Sequence, residues 1–192
     1  MKTIAFATCA SLMLLWSCDT KKTTNIPESA PAPTRAELIK RGDYLVNTIG
    51  CADCHTPKKM TEQGPVPDMD KWLMGHPSTD SLPKFKKESL TGNWLLFNPG
   101  LTAAVGPWGT SFASNLTPDE TGIGSWSLKQ FKLALRKGKY KGLENSRPLM
   151  PPMPWQNFSK LTDDDLEAIF EYLKSIKPID NLVPAYMPPS DN

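Results

Sequence analysis

Apolar positions recur at helical spacing in three stretches of the 192-residue chain. In the first stretch, apolar or small residues stand at relative positions i, i+4, i+7, i+8 and i+11, namely Leu38, Gly42, Leu45, Val46 and Ile49. This spacing predicts an amphipathic helix over about residues 34–49. Thr34 and Glu37 form the sequence pattern of a capping box at its start. Gly42 lies in the middle of the apolar face, where glycine costs about 1 kcal/mol relative to alanine, so it predicts close approach of another helix.

Two further helices are predicted in the second half of the chain. Ser127 and Gln130 form another capping box, which opens a helix that stops at a glycine. A third helix follows Thr162, and the aspartates of its first turn suit the positive end of the helix dipole. We expect this third helix to pack on the first helix around Gly42.

The segment between the first two helices is rich in proline and glycine. Eight prolines fall within residues 56–125, which leaves little room for long elements. The predicted fold class is therefore all-α, with three main helices and a long Pro/Gly-rich irregular insertion between the first and second of them. So long a stretch without its own core is uncommon unless something else organises it, and a buried prosthetic group would do so.

The N-terminus has the pattern of an export signal. Lys2 precedes an apolar run over residues 4–16, which is too short to span a bilayer and has the length of a signal-peptide core. The run ends in Leu15-Trp16-Ser17-Cys18, which resembles a bacterial lipobox. Residues 1–17 are therefore predicted to be a lipoprotein signal peptide.

The lipobox resemblance makes Cys18 the lipidated first residue of the mature chain. Two or more acyl chains on this residue would anchor it stably to a membrane. Residues 18–33 are predicted to form a disordered membrane tether, because few of them can bury much apolar area. Ordinary signal cleavage nearby, which would leave Cys18 as a spare thiol, is the alternative.

Charge excludes one class of function. The chain has 22 Lys and Arg against 20 Asp and Glu, and a formal net charge of +2, which argues against a nucleic-acid-binding surface. Basic residues nevertheless fall in two groups, Lys58 and Lys59 in one, and Lys132, Arg136, Lys137, Lys139 and Lys141 in the other. They could steer an acidic partner, and ordinary solvated surface charge is the alternative.

The clearest chemical motif is Cys51-Ala52-Asp53-Cys54-His55, a C-x-x-C-H sequence. It is the attachment signature of c-type haem, in which two thiols on one turn reach the two vinyl groups and the histidine reaches the iron. A redox-active dithiol is an alternative, but such a motif usually follows a strand and not a helix. A zinc site is a second alternative, but it needs four ligands, and the chain has no second paired motif.

A second iron ligand is sought among methionines and the other histidine. Met150 and Met153 lie in a proline-rich, non-helical segment, where a methionine has less reason to fill a core than on a helical stripe. His76 would give a bis-histidine iron, and a hydrogen-bonded structural role is its alternative.

Several segments resemble the cytochrome c family, especially bacterial single-haem domains. They are Arg41-Gly42-Asp43-Tyr44-Leu45-Val46, residues 115–124 with Trp126, and Pro151-Pro152-Met153-Pro154-Trp155. Similar segments occur in the cytochrome subunits of membrane alcohol and sugar-acid dehydrogenases, often as tandem copies, whereas this chain has one C-x-x-C-H motif. The resemblance implies a cytochrome c fold over residues 34–184, followed by a C-terminal tail at 185–192.

The resemblance also implies the ligand set. One haem c would be attached covalently through Cys51 and Cys54, with His55 and Met153 as the axial ligands of the iron. Since both axial positions would then be filled, the iron would cycle between ferric and ferrous states without binding substrate. This predicts an electron-transfer protein that is not an enzyme and has no catalytic residues.

The partners expected of such a protein are other redox proteins. A membrane dehydrogenase or a quinol-oxidising complex would supply electrons, and a terminal oxidase would accept them. The lipid anchor at Cys18 would hold the domain at a bacterial membrane, in the periplasm or at the cell surface. A haem sensor, or a catalytic haem protein with a labile methionine ligand, is the alternative function.

Overall fold

The three periodic stretches of the sequence are helices in the computed structural model, which describes residues 31–83 and 94–189. Helix α1 spans Arg35–Thr48, α3 spans Leu128–Lys137 and α5 spans Asp163–Ser175. Both predicted capping boxes are formed, at Thr34 and at Ser127. Two shorter α-helices are α2 at Cys51–His55 and α4 at Trp155–Phe158. Single 3-10 turns lie at Met69–Lys71 and Tyr140–Gly142.

The expectation of an all-α fold is wrong, because the stretch predicted to be irregular contains two antiparallel sheets. Strands β1 (Lys58–Thr61) and β2 (Gly64–Pro67) form a hairpin. Strands β3 (Leu96–Phe97), β4 (Ala103–Gly106) and β5 (Gly109–Phe112) form a three-stranded sheet in that order. The fold is therefore mixed α/β.

These strands escape sequence analysis for two physical reasons. The first hairpin contains Pro65 and Pro67, and an isolated two-stranded hairpin at the surface tolerates prolines that a central strand does not. Strand β4 is buried at every position, so it lacks the alternation of apolar and polar residues that marks a half-exposed strand.

The pairing of α1 with α5 organises the helical part of the core. Gly42 faces the backbone of α5, and a Cβ built there would collide with the carbonyl oxygen of Ala168 and lie 2.7 Å from Tyr172 Cβ. The predicted close approach is confirmed. Ion pairs between Arg41 and Asp165, 2.9 Å apart, and between the partly exposed Arg35 and Glu171 flank this contact.

The apolar core joins the three main helices to two points of the connecting segments. Its buried members are Leu45, Val46, Leu73, Ile123, Phe131, Leu166, Ile169, Phe170 and Leu173. Leu73 and Ile123 come from outside the helices, so the connecting segments are held to the same core. The tryptophans differ: Trp72 and Trp126 pack against this core, whereas Trp94 is 71% exposed.

The predicted signal peptide, the lipidation site Cys18 and most of the predicted tether lie outside the described residues. Within residues 31–83 and 94–189, no helix has the length and apolarity needed to cross a bilayer. At the other end, Met187 pairs with Thr110 of β5, and Tyr186 Oη donates to the carbonyl of Trp108. The segment after residue 184 thus contacts the sheet.

Candidate haem-binding site

The C-x-x-C-H motif forms a separate turn of helix directly after α1. Gly50 separates the two helices and has a φ of 88°, in the left-handed region that glycine adopts readily. Cys51 and Cys54 are half-buried free thiols on α2, and His55 at its end is 9% exposed. One turn of helix therefore presents the two thiols and the imidazole as neighbours.

The His55 ring is held by a backbone acceptor. Its Nδ1 lies 2.7 Å from the carbonyl oxygen of Ser114, so Nδ1 carries the proton and donates it. Burial lowers the pKa of His55, and the hydrogen bond to Ser114 opposes that shift. The imidazole is therefore neutral, and the lone pair of its Nε2 is the one a metal would use.

The irregular segment over residues 73–76 contacts both His55 and the backbone beside Ser114. Gly75 N donates to the carbonyl of His55 at 2.8 Å, and His76 N donates to the carbonyl of Ala113 at 2.9 Å. Leu73 N donates to Thr56 Oγ1 at 3.1 Å. Residues 73–76 are thus hydrogen-bonded both to residues 55–56 and to Ala113, and they lie beside the His55–Ser114 hydrogen bond.

The following segment, which the resemblance singled out, is stabilised by one buried amide. Asn115 Oδ1 accepts from the amide and the hydroxyl of Thr117, and its Nδ2 donates to Thr121 Oγ1 and to the carbonyl of Ile179. These hydrogen bonds fix the backbone directly after Ser114.

The environment of the two thiols disfavours a redox-active dithiol. Burial raises the pKa of Cys51 to about 11 and also raises the pKa of Cys54. A dithiol oxidoreductase needs the opposite shift, because the thiolate is the attacking species. Lys58 lowers the pKa of Cys54, but burial outweighs this effect. The Lys58 Nζ donates to the carbonyls of Ala52, Asp53 and Thr56, at the C-terminal end of α2.

Met153 lies half-buried in the loop between α3 and α4. At the start of this loop Leu149 N donates to the carbonyl of Gly138, at 2.7 Å. In its middle, Ser111 Oγ of β5 donates to the carbonyl of Pro151 at 2.6 Å. The loop that carries the predicted ligand is therefore held by both α3 and the sheet.

Met150 lies on the same turn as Met153 and is also half-buried. Its carbonyl accepts a hydrogen bond from Met153 N at 3.3 Å. Because the two methionines are so close along one turn, the choice of Met153 over Met150 stays a prediction.

His76 is buried, with 1% of its surface exposed. Its Nδ1 lies 2.9 Å from Thr102 Oγ1, and its ring packs against Phe112 at a centroid distance of 4.9 Å. Its Nε2 has no hydrogen-bond partner in the part of the chain that the structure describes. The engagement with Thr102 and Phe112 favours the structural interpretation of His76 over a role as an iron ligand.

The donor set of this site fits haem c. Two adjacent unbonded thiols and a neutral imidazole with its Nδ1 already engaged are what covalent attachment and axial ligation require. Sequence reasoning found the thiols and the imidazole, but it missed Ser114, Gly75 and the role of Lys58. The contacts of Ser114 and Gly75 involve backbone atoms, and the residue types in a sequence do not indicate which backbone atoms make such contacts.

Comparison with known proteins agrees with this chemistry. The chain is 30% identical to the fructose dehydrogenase cytochrome subunit of Gluconobacter japonicus over 156 residues, which are 80% of this chain and 24% of that protein. It is 31% identical to the cytochrome c subunit of the quinone alcohol dehydrogenase of Gluconobacter oxydans over 144 residues, 74% of this chain and 22% of that one. No protein-family model matches the chain.

A third relative is also a cytochrome c subunit of a dehydrogenase. The chain is 30% identical to the gluconate 2-dehydrogenase cytochrome c subunit of Pantoea cypripedii over 144 residues, 74% of this chain and 24% of that protein. The protein is therefore a c-type cytochrome. It is related to the cytochrome c subunits of fructose, alcohol and gluconate dehydrogenases, and it spans about a quarter of the length of these relatives.

Proposed function

We propose that this protein is a single-haem electron carrier, anchored to a bacterial membrane by lipid. Cys51 and Cys54 hold one haem c through thioether bonds, and His55 and Met153 are its axial ligands. The observation that carries the proposal is the hydrogen bond from His55 Nδ1 to Ser114, which leaves Nε2 as the free lone pair of a buried, neutral ring. The haem supplies the one-electron chemistry, with its iron alternating between the ferric and ferrous states.

Protein residues determine how that iron behaves. His55 is oriented by Ser114, and the apolar core beside Cys51 and Ala52 limits access of water. A methionine sulfur as the second ligand would be neutral and soft, which favours the ferrous state, and exclusion of water would disfavour the extra positive charge of the ferric state. Both effects raise the reduction potential above that of a bis-histidine haem.

The anchoring of the Met153 loop favours a carrier over a sensor or a catalytic haem protein. A sensor needs a ligand that leaves the iron readily, so that a gas or a peroxide can bind. Here the loop is tied to α3 through Leu149 and to β5 through Ser111. Such a loop keeps the sixth position filled, and the protein then has no site for a substrate and is not an enzyme.

The relatives suggest the electron donor. Their names describe cytochrome subunits of dehydrogenases, so we propose a membrane dehydrogenase or a quinol-oxidising complex as the partner that reduces this protein. A terminal oxidase is the proposed acceptor. Residues 34–184 form the cytochrome domain, and residues 185–192 are the C-terminal tail.

We propose an exported location for that domain. Residues 1–17 are the signal peptide, Cys18 carries the lipid, and residues 18–33 tether the domain in the periplasm or at the cell surface. Anchoring close to the membrane suits an exchange of electrons with membrane-bound partners.

The test of the proposed function is a visible spectrum combined with removal of the thiols. The purified parent protein should show a sharp α band when reduced and a weak sulfur-to-iron charge-transfer band when oxidised. The Cys51→Ser, Cys54→Ser double variant should lose haem stain after denaturation and acid-acetone washing, because it cannot form thioether bonds. Equal staining of parent and double variant would refute covalent attachment at these residues.

A further inference from the structure

Gly75 lies directly against the hydrogen bond that orients His55. Its φ is 79°, which glycine adopts without strain. A Cβ built at this position would collide with the carbonyl oxygen of Ala113 and would lie 2.6 Å from the carbonyl oxygen of Ser114. That second oxygen is the acceptor of the His55 Nδ1 proton. The carbonyl of Ser114 can therefore occupy its position beside His55 only because residue 75 has no side chain.

Hydrogen bonds restrain the backbone at Gly75 and on both sides of it. Its own amide donates to the carbonyl of His55 at 2.8 Å. On one side, Leu73 N is bound to Thr56 Oγ1, and on the other, His76 N is bound to the carbonyl of Ala113. A side chain at residue 75 would therefore push residue 75 and the 113–114 backbone apart, which displaces the carbonyl of Ser114 relative to His55.

We infer that Gly75 is a positioning residue that sets the strength of the His55–Ser114 hydrogen bond, and through it the reduction potential of the haem. The inference rests on the proposed function, since it needs His55 as an iron ligand. A proton donated from Nδ1 to a carbonyl makes Nε2 a stronger electron donor, and a stronger donor stabilises ferric iron. Weakening the hydrogen bond therefore shifts the potential to a more positive value.

The direction of this shift separates positioning from general damage. A side chain that merely loosened the haem pocket would admit water, which stabilises the more charged ferric state and shifts the potential to a more negative value. The two explanations predict opposite signs in the same measurement.

The main experiment compares Gly75→Ala with Gly64→Ala in the haem-loaded protein. Gly64 also has a positive φ, 111°, but a Cβ there meets nothing within 4 Å, so this control has the backbone strain without the collision. We expect a positive shift of the midpoint potential for Gly75→Ala, with the His55 Nδ1 proton exchanging faster by NMR, and the parent potential for Gly64→Ala. An unchanged or more negative potential in Gly75→Ala would overturn the inference.

If Gly75→Ala does not fold, a second pair of variants tests the hydrogen bond that holds the segment carrying Gly75. Thr56→Val has nearly the shape of threonine but removes the hydroxyl that holds Leu73 N, so it frees the segment that carries Gly75. Thr56→Ser keeps that hydroxyl. We expect a positive shift for Thr56→Val and the parent potential for Thr56→Ser, whereas equal potentials in the two variants would count against the inference.

The parent protein separates this inference from the proposed function. A parent without the bands of a methionine-ligated c haem refutes the proposed function itself. A parent with those bands, together with a Gly75→Ala potential that is not more positive, refutes only the role of Gly75.

Discussion

Backbone carbonyls accept hydrogen bonds from the side chains in and around the candidate site. Ser114 accepts from His55, Pro151 accepts from Ser111, and Thr56 accepts from Lys58. The C-x-x-C-H motif could be recognised in the sequence because thiols and an imidazole are distinctive residue types. Its supporting contacts could not be, since every residue has a carbonyl and only the fold decides which one is used.

Substitution of each candidate methionine by alanine tests which of the two is the axial ligand. Met153→Ala should remove the sulfur from the iron, shift the reduction potential to a more negative value and open the sixth position to added imidazole or cyanide. Met150→Ala is the matched control on the same turn, and its spectrum should remain that of the parent. Loss of the charge-transfer band in Met150→Ala alone would identify Met150 as the ligand.

Acid should destabilise the protein through His76. Burial lowers the pKa of His76, and the carbonyl and carboxylate of Asp80 only partly oppose this shift. The unfolded state, with a pKa of about 6.5, then binds the proton more readily than the folded state. Stability from neutral His76 is thus fully present above about pH 6.5 and is lost as the pH falls toward the lower pKa of the folded state.

The measurement is the melting temperature of the haem-loaded protein between about pH 7.5 and pH 5.5, a range chosen around the ordinary histidine pKa. The melting temperature of the parent should fall more over this range than that of His76→Gln, which has no titrating ring. Bound to iron as proposed, His55 would take up no proton in this range. Equal pH dependence in the two proteins would show that His76 is not the group that titrates.

At the scale of elements, the three main helices could be predicted, whereas the short helix α4 and the strands could not. Helices α1, α3 and α5 each have a cap and an apolar stripe, and these signals are local in sequence. Strand β4 is an Ala-Ala-Val-Gly segment, whose identity as a strand depends on its pairing with β5. Pairing is a property of the fold, so a local pattern does not reveal it.

Substitution of Gly42 tests the contact between α1 and α5. Alanine normally stabilises a helix by about 1 kcal/mol relative to glycine, but here its methyl group would collide with Ala168 of α5. We expect Gly42→Ala to lower the free energy of unfolding by about 1–3 kcal/mol, as overpacking does elsewhere. Denaturant unfolding measures this difference.

The exposed position Lys40 on the same helix supplies the control. Lys40→Ala should be more stable than Lys40→Gly, because only helix propensity acts there. If Gly42→Ala is also stabilising, the two helices are farther apart than the structure indicates.

Removal of the Ser111 hydroxyl tests the anchoring of the methionine loop. Ser111→Ala deletes the hydrogen bond to Pro151, worth about 1 kcal/mol, and should loosen the loop that carries Met153. We expect imidazole to displace the methionine at a lower concentration, about fivefold for 1 kcal/mol, as followed by the visible spectrum.

Ser175→Ala is the corresponding control. The hydroxyl of Ser175 also donates to a backbone carbonyl, that of Tyr172, but at the end of α5 and away from the loop. Its imidazole titration should match that of the parent. A Ser111→Ala titration that also matches the parent would show that the hydrogen bond does not restrain the ligand.

The described part of the chain is held together by contacts between segments far apart in sequence. Asn181 Nδ2 donates to the carbonyls of Met74 and His76, and Lys174 Nζ donates to the carbonyl of Gly124. Together with the α1–α5 contact, these bonds bring the end of the chain onto the segments beside the haem-binding turn. Loss of the C-terminal segment would therefore disturb the surroundings of His55 as well as the chain end.

The last prediction concerns the whole molecule and its proposed anchor. A lipid on Cys18 and a tether of about 15 residues, with an end-to-end distance of about 20 Å as a coil, would confine the domain to a thin layer at the membrane. Encounters with membrane-bound partners then become effectively intramolecular. Replacement of the leader by a signal without a lipobox should release a soluble, haem-loaded cytochrome, and electron flow to it should fall at equal cytochrome abundance.

The decisive comparison is the rate at which membranes reduce the anchored and the released cytochrome. The haem content and visible spectra of the two forms must match, so that only the anchor differs. The anchored form should be reduced faster, and the advantage should be largest when the protein is dilute, because the effective concentration set by the tether does not fall on dilution. If the two forms are reduced equally fast at every concentration, the protein acts as a soluble shuttle, and the tether does not organise its electron transfer.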